Sequence, residues 1–307
     1  MELTKLINIL ACPDDRGVLH IKSDNLIVCR LCGREFSIIE GIPMLLPENI
    51  PGHQNKFSHQ KWNQYNVFEN LSKDTSYYDN YYTRDILKYI AKFLTGRGAF
   101  LEIGVGAGFI AMEAAKRGYD TFGIDISFDA LLYAKKRFRQ KGLELTAVCG
   151  DITSMPFKDN IFDFIFGSGV IEHILDTRKA VREQQRCLVS GGITYQTVPA
   201  FSFSTMTYGQ LWGGIPNVIF LKNIFEIIHM RILRGKHMLF GYEKLFTLRQ
   251  LNGIMESNKL QVLESGVFHL YRPINFLSNP RLIEFCNKLL QYRPFCHMIY
   301  TCAKKQF

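Results

Sequence analysis

The chain has 307 residues, 47% of them hydrophobic, and carries a formal net charge of +9. This length suits one large α/β domain with a small appendage. It contains no uninterrupted apolar run of about 18 residues, and residues 1–5 open no signal peptide, so we expect a cytoplasmic protein without a membrane-spanning helix. Its eight cysteines then predict metal binding or plain burial, not a disulfide framework.

The first 50 residues contain cysteines at metal-ligand spacing. Cys29 and Cys32 form a C-x-x-C knuckle, and Cys12 begins another in which Asp15 stands where cysteine is expected. Two knuckles complete a tetrahedral zinc site, and a carboxylate is a permitted but less usual structural ligand. Two interpretations stay open: these four residues hold structural zinc, or apolar residues alone hold this segment together.

This segment closely resembles the zinc-ribbon-like family of small bacterial proteins and of the activator subunit that partners RNA and translation-factor methyltransferases. The resemblance implies a small β domain at residues 1–50, fused here to a larger one. A ribosomal RNA methyltransferase group uses such a ribbon to grip RNA, but phosphate binding requires excess positive charge. Here the charges nearly balance: Asp14, Asp15, Asp24 and Glu40 stand beside Arg16, Lys22, Arg30 and Arg34.

An apolar strand followed by alternating glycines predicts a nucleotide-binding turn at residues 100–108. Gly104, Gly106 and Gly108 permit positive φ angles and leave bare main chain for a ligand. Dinucleotide-binding folds place their third glycine where this chain has Phe109. With Glu102 two positions before the first glycine, the string E-x-G-x-G-x-G resembles motif I of class I S-adenosylmethionine (SAM) methyltransferases.

Acidic residues end the next two predicted strands. Asp125, followed by Ile126, lies 21 positions after Gly104, where a carboxylate accepts both hydroxyls of a ribose. Asp151 and Ile152 resemble the methyltransferase residues that accept from the adenine amino group and pack on its ring. This second acid separates the pattern from that of a dehydrogenase.

The fourth predicted strand contains Ser168 and leads into Glu172 and His173. It resembles the FD…VLEH segment of the type 11 methyltransferases, which include ubiquinone and menaquinone biosynthesis enzymes. The resemblance implies SAM as the cofactor and, over residues 84–307, a Rossmann-like α/β fold: a seven-stranded, mostly parallel sheet with helices on both faces. Ligands bind at the carboxyl ends of such strands. The implied cofactor residues are Glu102, Gly104, Gly106, Gly108, Asp125, Ile126, Asp151, Ile152 and Ser168.

The linker, residues 51–83, is rich in aromatic residues and is predicted to contain N-terminal helices. Its Trp62 lies in a segment that resembles the one preceding motif I in ribbon-fused methyltransferases, where it closes over the cofactor. Aromatic rings suit this task because they cover a sulfonium and an adenine while excluding water. Alternatively, these rings pack the ribbon against the main domain.

His173 is the candidate general base, because it follows the fourth strand beside the expected methyl position and titrates near neutrality. The structural alternative is that Glu172 and His173 only fix the pocket wall through hydrogen bonds.

Residues 201–245 are too long for an ordinary loop and predict a cap. Within this insertion, residues 218–233 form an apolar helix with a narrow polar stripe of Lys222, Glu226 and His229. Such a helix buries most of its circumference in a cap, a homodimer contact or a lipid surface, and its aromatic surroundings predict an apolar or lipid-like acceptor.

Three functions stay open. The first is SAM-dependent O- or C-methylation of a small, apolar or lipid-linked metabolite. The second is RNA methylation with the ribbon as grip, and the third is a non-catalytic partner protein that retains the fold. The carboxylates of Glu102, Asp125 and Asp151 argue against the third.

Overall fold

The computed structural model describes residues 3–49, 83–238, 241–269 and 279–306. Trp62 and the rest of the linker up to residue 82 lie outside the described residues. The strands are β1 (Leu19–Ser23), β2 (Leu26–Cys29), β3 (Glu35–Ile39), β4 (Ile42–Leu45), β5 (Ala99–Ile103), β6 (Asp120–Asp125), β7 (Thr146–Gly150), β8 (Phe162–Ser168), β9 (Leu188–Pro199), β10 (Gly214–Pro216), β11 (Glu243–Leu245), β12 (Leu260–Phe268) and β13 (Met298–Lys305). The helices are α1 (Leu3–Leu6), α2 (Thr83–Ile90), α3 (Phe109–Lys116), α4 (Phe128–Gln140), α5 (Thr177–Cys187), α6 (Phe203–Thr207), α7 (Ile219–Glu226), α8 (Leu248–Ser257) and α9 (Pro280–Leu289).

One large sheet runs through the molecule in the order β1-β2-β3-β4-β7-β6-β5-β8-β9-β13-β12. The strands from β7 to β9 are parallel to their neighbours, whereas β13 and β12 are antiparallel at the far edge. Helices α3, α4 and α5 connect parallel strands, as such crossovers require. The predicted α/β fold with a mostly parallel sheet is confirmed, but the predicted seven strands are too few.

The sheet is larger because the N-terminal domain extends it. β1 to β4 pair antiparallel in chain order, and β4 then pairs in parallel with β7, with Met44 opposite Cys149 and Leu45 opposite Gly150. An exposed sheet edge offers unpaired main-chain groups that another strand can satisfy. The alternation of residues in β4 does not reveal its partner strand, so the sequence does not predict that the ribbon joins the main sheet.

Hydrogen bonds outside the sheet also fix the ribbon to the main domain. The guanidinium of Arg16 lies 2.5 Å from a carboxylate oxygen of Glu183 on α5 and donates to the carbonyl of Met155 at 2.9 Å. The main-chain N–H of Ala11 donates to the carbonyl of Pro156 at 3.1 Å. The ribbon therefore bonds directly to the segment that follows β7.

The ribbon and the main domain share one apolar cluster. Leu10, Ile27 and Phe36 of the ribbon are buried in the same cluster as Phe122 and Val148 of the central strands. Burial of large apolar side chains stabilises by roughly 1.5–3 kcal/mol each, so this contact contributes to the stability of both domains.

The cap, residues 201–245, lies between β9 and α8 in the chain. The predicted helix over residues 218–233 begins as α7 and continues as a π-helical turn at Ile227–Ile232. Strands β10 and β11 pair in parallel beside it.

The polar stripe of the cap helix faces the protein. The hydroxyl of Tyr242 donates to Glu226 at 2.9 Å, and His229 is buried. Ile219, Phe220 and Ile232 of the same helical segment are exposed by 84%, 75% and 68%. No described helix is both long enough and apolar enough to cross a membrane.

We expect Arg16→Ala to lower the free energy of unfolding by about 1–2 kcal/mol, because it removes a charge-assisted bond to the 8%-exposed side chain of Glu183. Urea denaturation measures this difference. Lys22→Ala is the matched control, since its ion pair with Glu35 is exposed on both sides and contributes little. An equal loss in the two variants would contradict the proposed docking contact.

Candidate cofactor edge and metal cluster

The glycine turn joins β5 to α3 at the carboxyl edge of the sheet. Gly104, Gly106 and Gly108 have φ angles of 59°, 49° and 68°, which residues with a side chain rarely adopt. A Cβ atom on Gly104 would lie 2.6 Å from a methyl carbon of Val170, so the turn also needs glycine there for space. The turn therefore requires glycine for its backbone conformation at all three positions and for space at Gly104.

Glu102 lies beneath the turn and is buried. Its Oε2 accepts the N–H of Ala111 in the first turn of α3 at 2.7 Å. Burial raises the pKa of Glu102 to about 8. The structure thus places this predicted cofactor residue against the helix main chain, where it orients the glycine turn.

Arg137, which is not among the predicted cofactor residues, supports the same turn. It is buried on α4, its guanidinium donates to the carbonyl of Ala107 at 2.8 Å, and it lies 4.1 Å from the ring centre of Phe109. Residues 135–141 contain five basic side chains, a pattern that in the sequence resembles a solvated helix face, and only tertiary packing distinguishes Arg137 from the others. Phe109, which replaces the third dinucleotide-type glycine, is the stacking partner of this arginine.

Asp125 ends β6 and lies beside the glycine turn. Its Oδ2 accepts the N–H of Gly106 at 3.1 Å, and its Oδ1 accepts the N–H of Ser127 at 2.9 Å. The side chain is half-buried, as is its neighbour Ile126. A carboxylate held by two main-chain N–H groups is fixed in direction, which suits it to accept hydroxyl groups.

Asp151 follows β7 and is buried. Its Oδ1 accepts the N–H of Thr153 at 2.7 Å, and Ile152 beside it is 6% exposed. The chain then meets the ribbon, where the Ser154 hydroxyl donates to the carbonyl of Pro13. The ribbon therefore supports the loop that carries the second acid.

At the end of β8, the Ser168 hydroxyl forms a 2.7 Å hydrogen bond with the Thr197 hydroxyl of β9. Glu102, Asp125, Asp151 and Ser168 thus belong to four adjacent strands, or directly follow them, in the order β7-β6-β5-β8. These four predicted cofactor residues therefore lie at the carboxyl ends of neighbouring central strands, and we call this end of the sheet the cofactor edge.

His173 lies in a 3-10 turn after β8 and is 8% exposed. Its Nδ1 is 2.7 Å from the main-chain carbonyl oxygen of Tyr242 in the cap, so Nδ1 carries the proton and donates it. Burial lowers the pKa of His173 to about 4, so the ring is neutral at physiological pH. This contact ties the end of β8 to the cap.

Glu172, the preceding residue, is 2% exposed, and within the described ranges its Oε2 has no hydrogen-bond partner. Burial raises the pKa of Glu172 well above its usual range.

The four predicted metal ligands of the ribbon come together. The sulfur atoms of Cys12, Cys29 and Cys32 and a carboxylate oxygen of Asp15 all lie within 4.8 Å of one another. The Cys12 and Cys32 sulfur atoms are 3.8 Å apart, which is the edge of a tetrahedron with zinc–sulfur bonds of about 2.3 Å. The N–H of Gly17 fixes Asp15 at 2.7 Å, and it is the main cause that lowers the Asp15 pKa to about 2. The donor set fits zinc.

Comparisons with known proteins agree with the two parts of the chain. Residues 101–195 match the profile of a methyltransferase domain of the type 11 group, and residues 4–41 match that of the Trm112p-like proteins. A biotin biosynthesis bifunctional protein of Cellvibrio japonicus is 34% identical over 99 residues, which are 32% of this chain but only 19% of that protein. A ubiquinone biosynthesis O-methyltransferase of Coxiella burnetii is 24% identical over 189 residues, which are 61% of this chain and 74% of that protein.

Two solved structures share the fold. Phosphoethanolamine N-methyltransferase 2 of Haemonchus contortus, in complex with S-adenosyl-L-methionine, gives a TM-score of 0.56 at 18% identity and covers 86% of this chain and 62% of that one. A complex between the Haloferax volcanii Trm112 methyltransferase activator and a methyltransferase gives 0.50 at 14% identity and covers 84% of this chain and 100% of that one. The chain is therefore similar to type 11 methyltransferase domains over residues 101–195 and to Trm112p-like proteins over residues 4–41, and these solved structures share its fold.

Proposed function

We propose that this protein transfers the methyl group of SAM to a small acceptor that is apolar or lipid-linked, by O- or C-methylation. The observation that carries the cofactor part of the proposal is that Asp125 ends β6 beside the glycine turn, while Asp151 directly follows the adjacent parallel strand β7. Asp125 would accept the ribose hydroxyls, and Asp151 would accept from the adenine amino group, with Ile152 against the ring. Gly104, Gly106 and Gly108 would leave room for the rest of SAM.

SAM supplies an electrophilic methyl group on its sulfonium, and the protein aligns the acceptor and excludes water. The low pKa of His173 makes it a weak base, and its Nδ1 is engaged by the cap. These observations support the alternative in which Glu172 and His173 position the pocket wall, with Nε2 of His173 as a hydrogen-bond acceptor. We infer a positioning role for both residues.

The Trm112p-like domain supports a second part of the proposal. In this chain it pairs with the methyltransferase sheet through β4 and bonds to the loop after Asp151. We infer that the protein carries its own Trm112-like partner. RNA methylation remains the alternative function, and salt-sensitive RNA binding by the purified protein would favour it. A non-catalytic role predicts no binding of SAM.

The acceptor can be identified by incubating the protein with labelled SAM and a cell extract and analysing the labelled product. A labelled small apolar or lipid-linked compound supports the proposal. Label confined to RNA would favour the alternative.

We expect Asp125→Ala to weaken SAM binding about 10- to 100-fold, because it removes charge-assisted hydrogen bonds worth about 1.5–3 kcal/mol. Isothermal titration calorimetry measures the dissociation constant, and thermal unfolding checks that the variant keeps its fold. Asp129→Ala, an exposed acid four residues later on α4, is the matched control and should bind as the wild type does. Unchanged SAM affinity in Asp125→Ala would overturn the cofactor assignment.

We propose that Cys12, Asp15, Cys29 and Cys32 hold one structural zinc ion per chain. Cys32→Ala should then reduce the zinc content of the purified protein to a small fraction and lower its melting temperature, since structural zinc contributes folding free energy. Elemental analysis and thermal unfolding provide the readouts. Cys286→Ala, a half-buried cysteine on α9, is the control. Equal metal content in the two variants would instead favour a ribbon held by apolar residues alone.

We expect the free energy of unfolding to depend on pH because of the shifted pKa of His173. Its pKa is about 4 in the folded protein and near 6.5 when unfolded, so the unfolded chain binds more protons between these values and stability falls as the pH falls through this window. From pH 7 to pH 5, His173→Gln should lose about 2 kcal/mol less unfolding free energy than the wild type. His20→Gln on β1 serves as the control, and parallel curves for wild type and His173→Gln would refute the prediction.

A further inference from the structure

A cavity of about 550 Å³ lies between the cap and the main domain. The wall is formed by residues 175–178 at the start of α5, by Asn217 and Lys222 of the cap, and by six residues between Lys244 and Ile254 around the start of α8. The predicted SAM residues do not line it. Four basic side chains do, and we call it the basic cavity: Arg178, Lys222, Lys244 and Arg249.

The charges around the basic cavity do not balance. Its one lining carboxylate, Asp176, accepts the N–H of Lys179 at 3.0 Å as the N-cap of α5. Lys222 lies 3.7 Å from Glu226. The other three basic side chains form no ion pair within the part of the chain that the structure describes. The cavity wall therefore carries excess positive charge.

Lys244 is the decisive member because it is only 4% exposed. Its ammonium group donates to the carbonyl of Leu175 at 2.9 Å and to the hydroxyl of Thr177 at 2.5 Å, and both acceptors are neutral. Burial lowers the pKa of Lys244 to about 8. The carboxylates of Asp176, Glu226 and Glu172 act on this ammonium group from a distance, but none of them forms an ion pair with it in the described structure. An anion in the adjacent cavity would offset more of the cost of burying the charge.

The two arginines stand at helix starts that face the same cavity. Arg178 and Arg249 are the second residues of α5 and α8, and both are exposed. Partial positive charge at helix N-termini favours anions, and the planar guanidinium fork matches phosphate oxygens. Leu175, Phe246 and Ile254 add an apolar wall that suits the organic part of a ligand.

We propose that the basic cavity is a binding site for the phosphate group of a phosphorylated organic molecule. Two guanidinium groups and a buried ammonium provide the charge for a dianion, and the cavity volume exceeds that of a phosphate group alone. The site is separate from the cofactor edge and does not depend on the proposed methyl transfer. Its ligand is either a free organic phosphate or the headgroup of an anionic lipid.

Calorimetric titration of the full chain with glycerol 3-phosphate tests the first source, and co-sedimentation with phosphatidylglycerol vesicles, against phosphatidylcholine vesicles, tests the second. We expect saturable binding in one of these assays, weakened at least tenfold by Arg249→Gln and by Arg178→Gln. Both side chains are exposed, so these variants should fold even if Lys244→Gln does not. Arg139→Gln, an exposed arginine on α4 outside the cavity, is the matched control.

Retention on phosphatidylglycerol vesicles alone, with the same sensitivity to Arg249→Gln, identifies the ligand as a lipid headgroup. Absence of binding in both assays, or equal binding by Arg249→Gln and Arg139→Gln, overturns the proposal. SAM affinity measured on Arg249→Gln should equal that of the wild type. A loss of SAM binding in Asp125→Ala without any change in phosphate binding would separate the two sites.

Discussion

The parallel pairing of β4 with β7 is the constraint on which the relation between the two domains depends. It makes the ribbon a continuation of the central sheet, so the strand that precedes Asp151 is no longer an edge strand. The register of this pairing is fixed by side-chain burial, because a slip by one residue would turn every side chain of β4 to the opposite face of the sheet. The ribbon and the cofactor edge therefore have one fixed geometry.

This geometry connects the metal cluster to the cofactor edge through a short path. Cys12 and Asp15 belong to the loop of residues 12–16. In this loop, the main-chain carbonyl of Pro13 accepts a hydrogen bond from the hydroxyl of Ser154, which lies three residues after Asp151. Arg16, in the same loop, bonds to Glu183. An ion that orders this loop would thus also order the chain after β7, which offers a physical reason for fusing a Trm112-like domain to the methyltransferase it contacts.

The sequence revealed those features of the cofactor edge that depend on short-range pattern. The sequence predicts the glycines at the turn and the acids at the strand ends, because the local backbone dictates these residue types and parallel strands bring their carboxyl ends together. It does not predict the contacts that hold these residues in place. Arg137 belongs to a charged run that resembles any solvated helix face, and the His173 to Tyr242 bond joins residues 69 positions apart.

The pairing of β4 with β7 and the burial of Lys244 could not be predicted from the sequence, for a different reason. β4 has no residue that specifies a partner strand, because main-chain groups form the pairing. Lys244 lies in a short strand between buried aromatic residues, where a lysine would ordinarily be exposed. Its burial depends on how the cap closes against α5, which a linear pattern cannot encode.

The cap buries a charged side chain and exposes large apolar ones, which is the reverse of the usual arrangement in a folded protein. It buries the ammonium of Lys244 and exposes Ile219 and Phe220, although each of these arrangements is unfavourable for an isolated chain in water. Both costs fall if the cap meets a molecule that carries an anionic group and an apolar body. An amphiphilic ligand would satisfy both at once, since Lys222 of the basic cavity and the exposed Phe220 belong to the same helix, α7. The cap thus combines on one helix the basic and the apolar surfaces that an amphiphilic ligand requires.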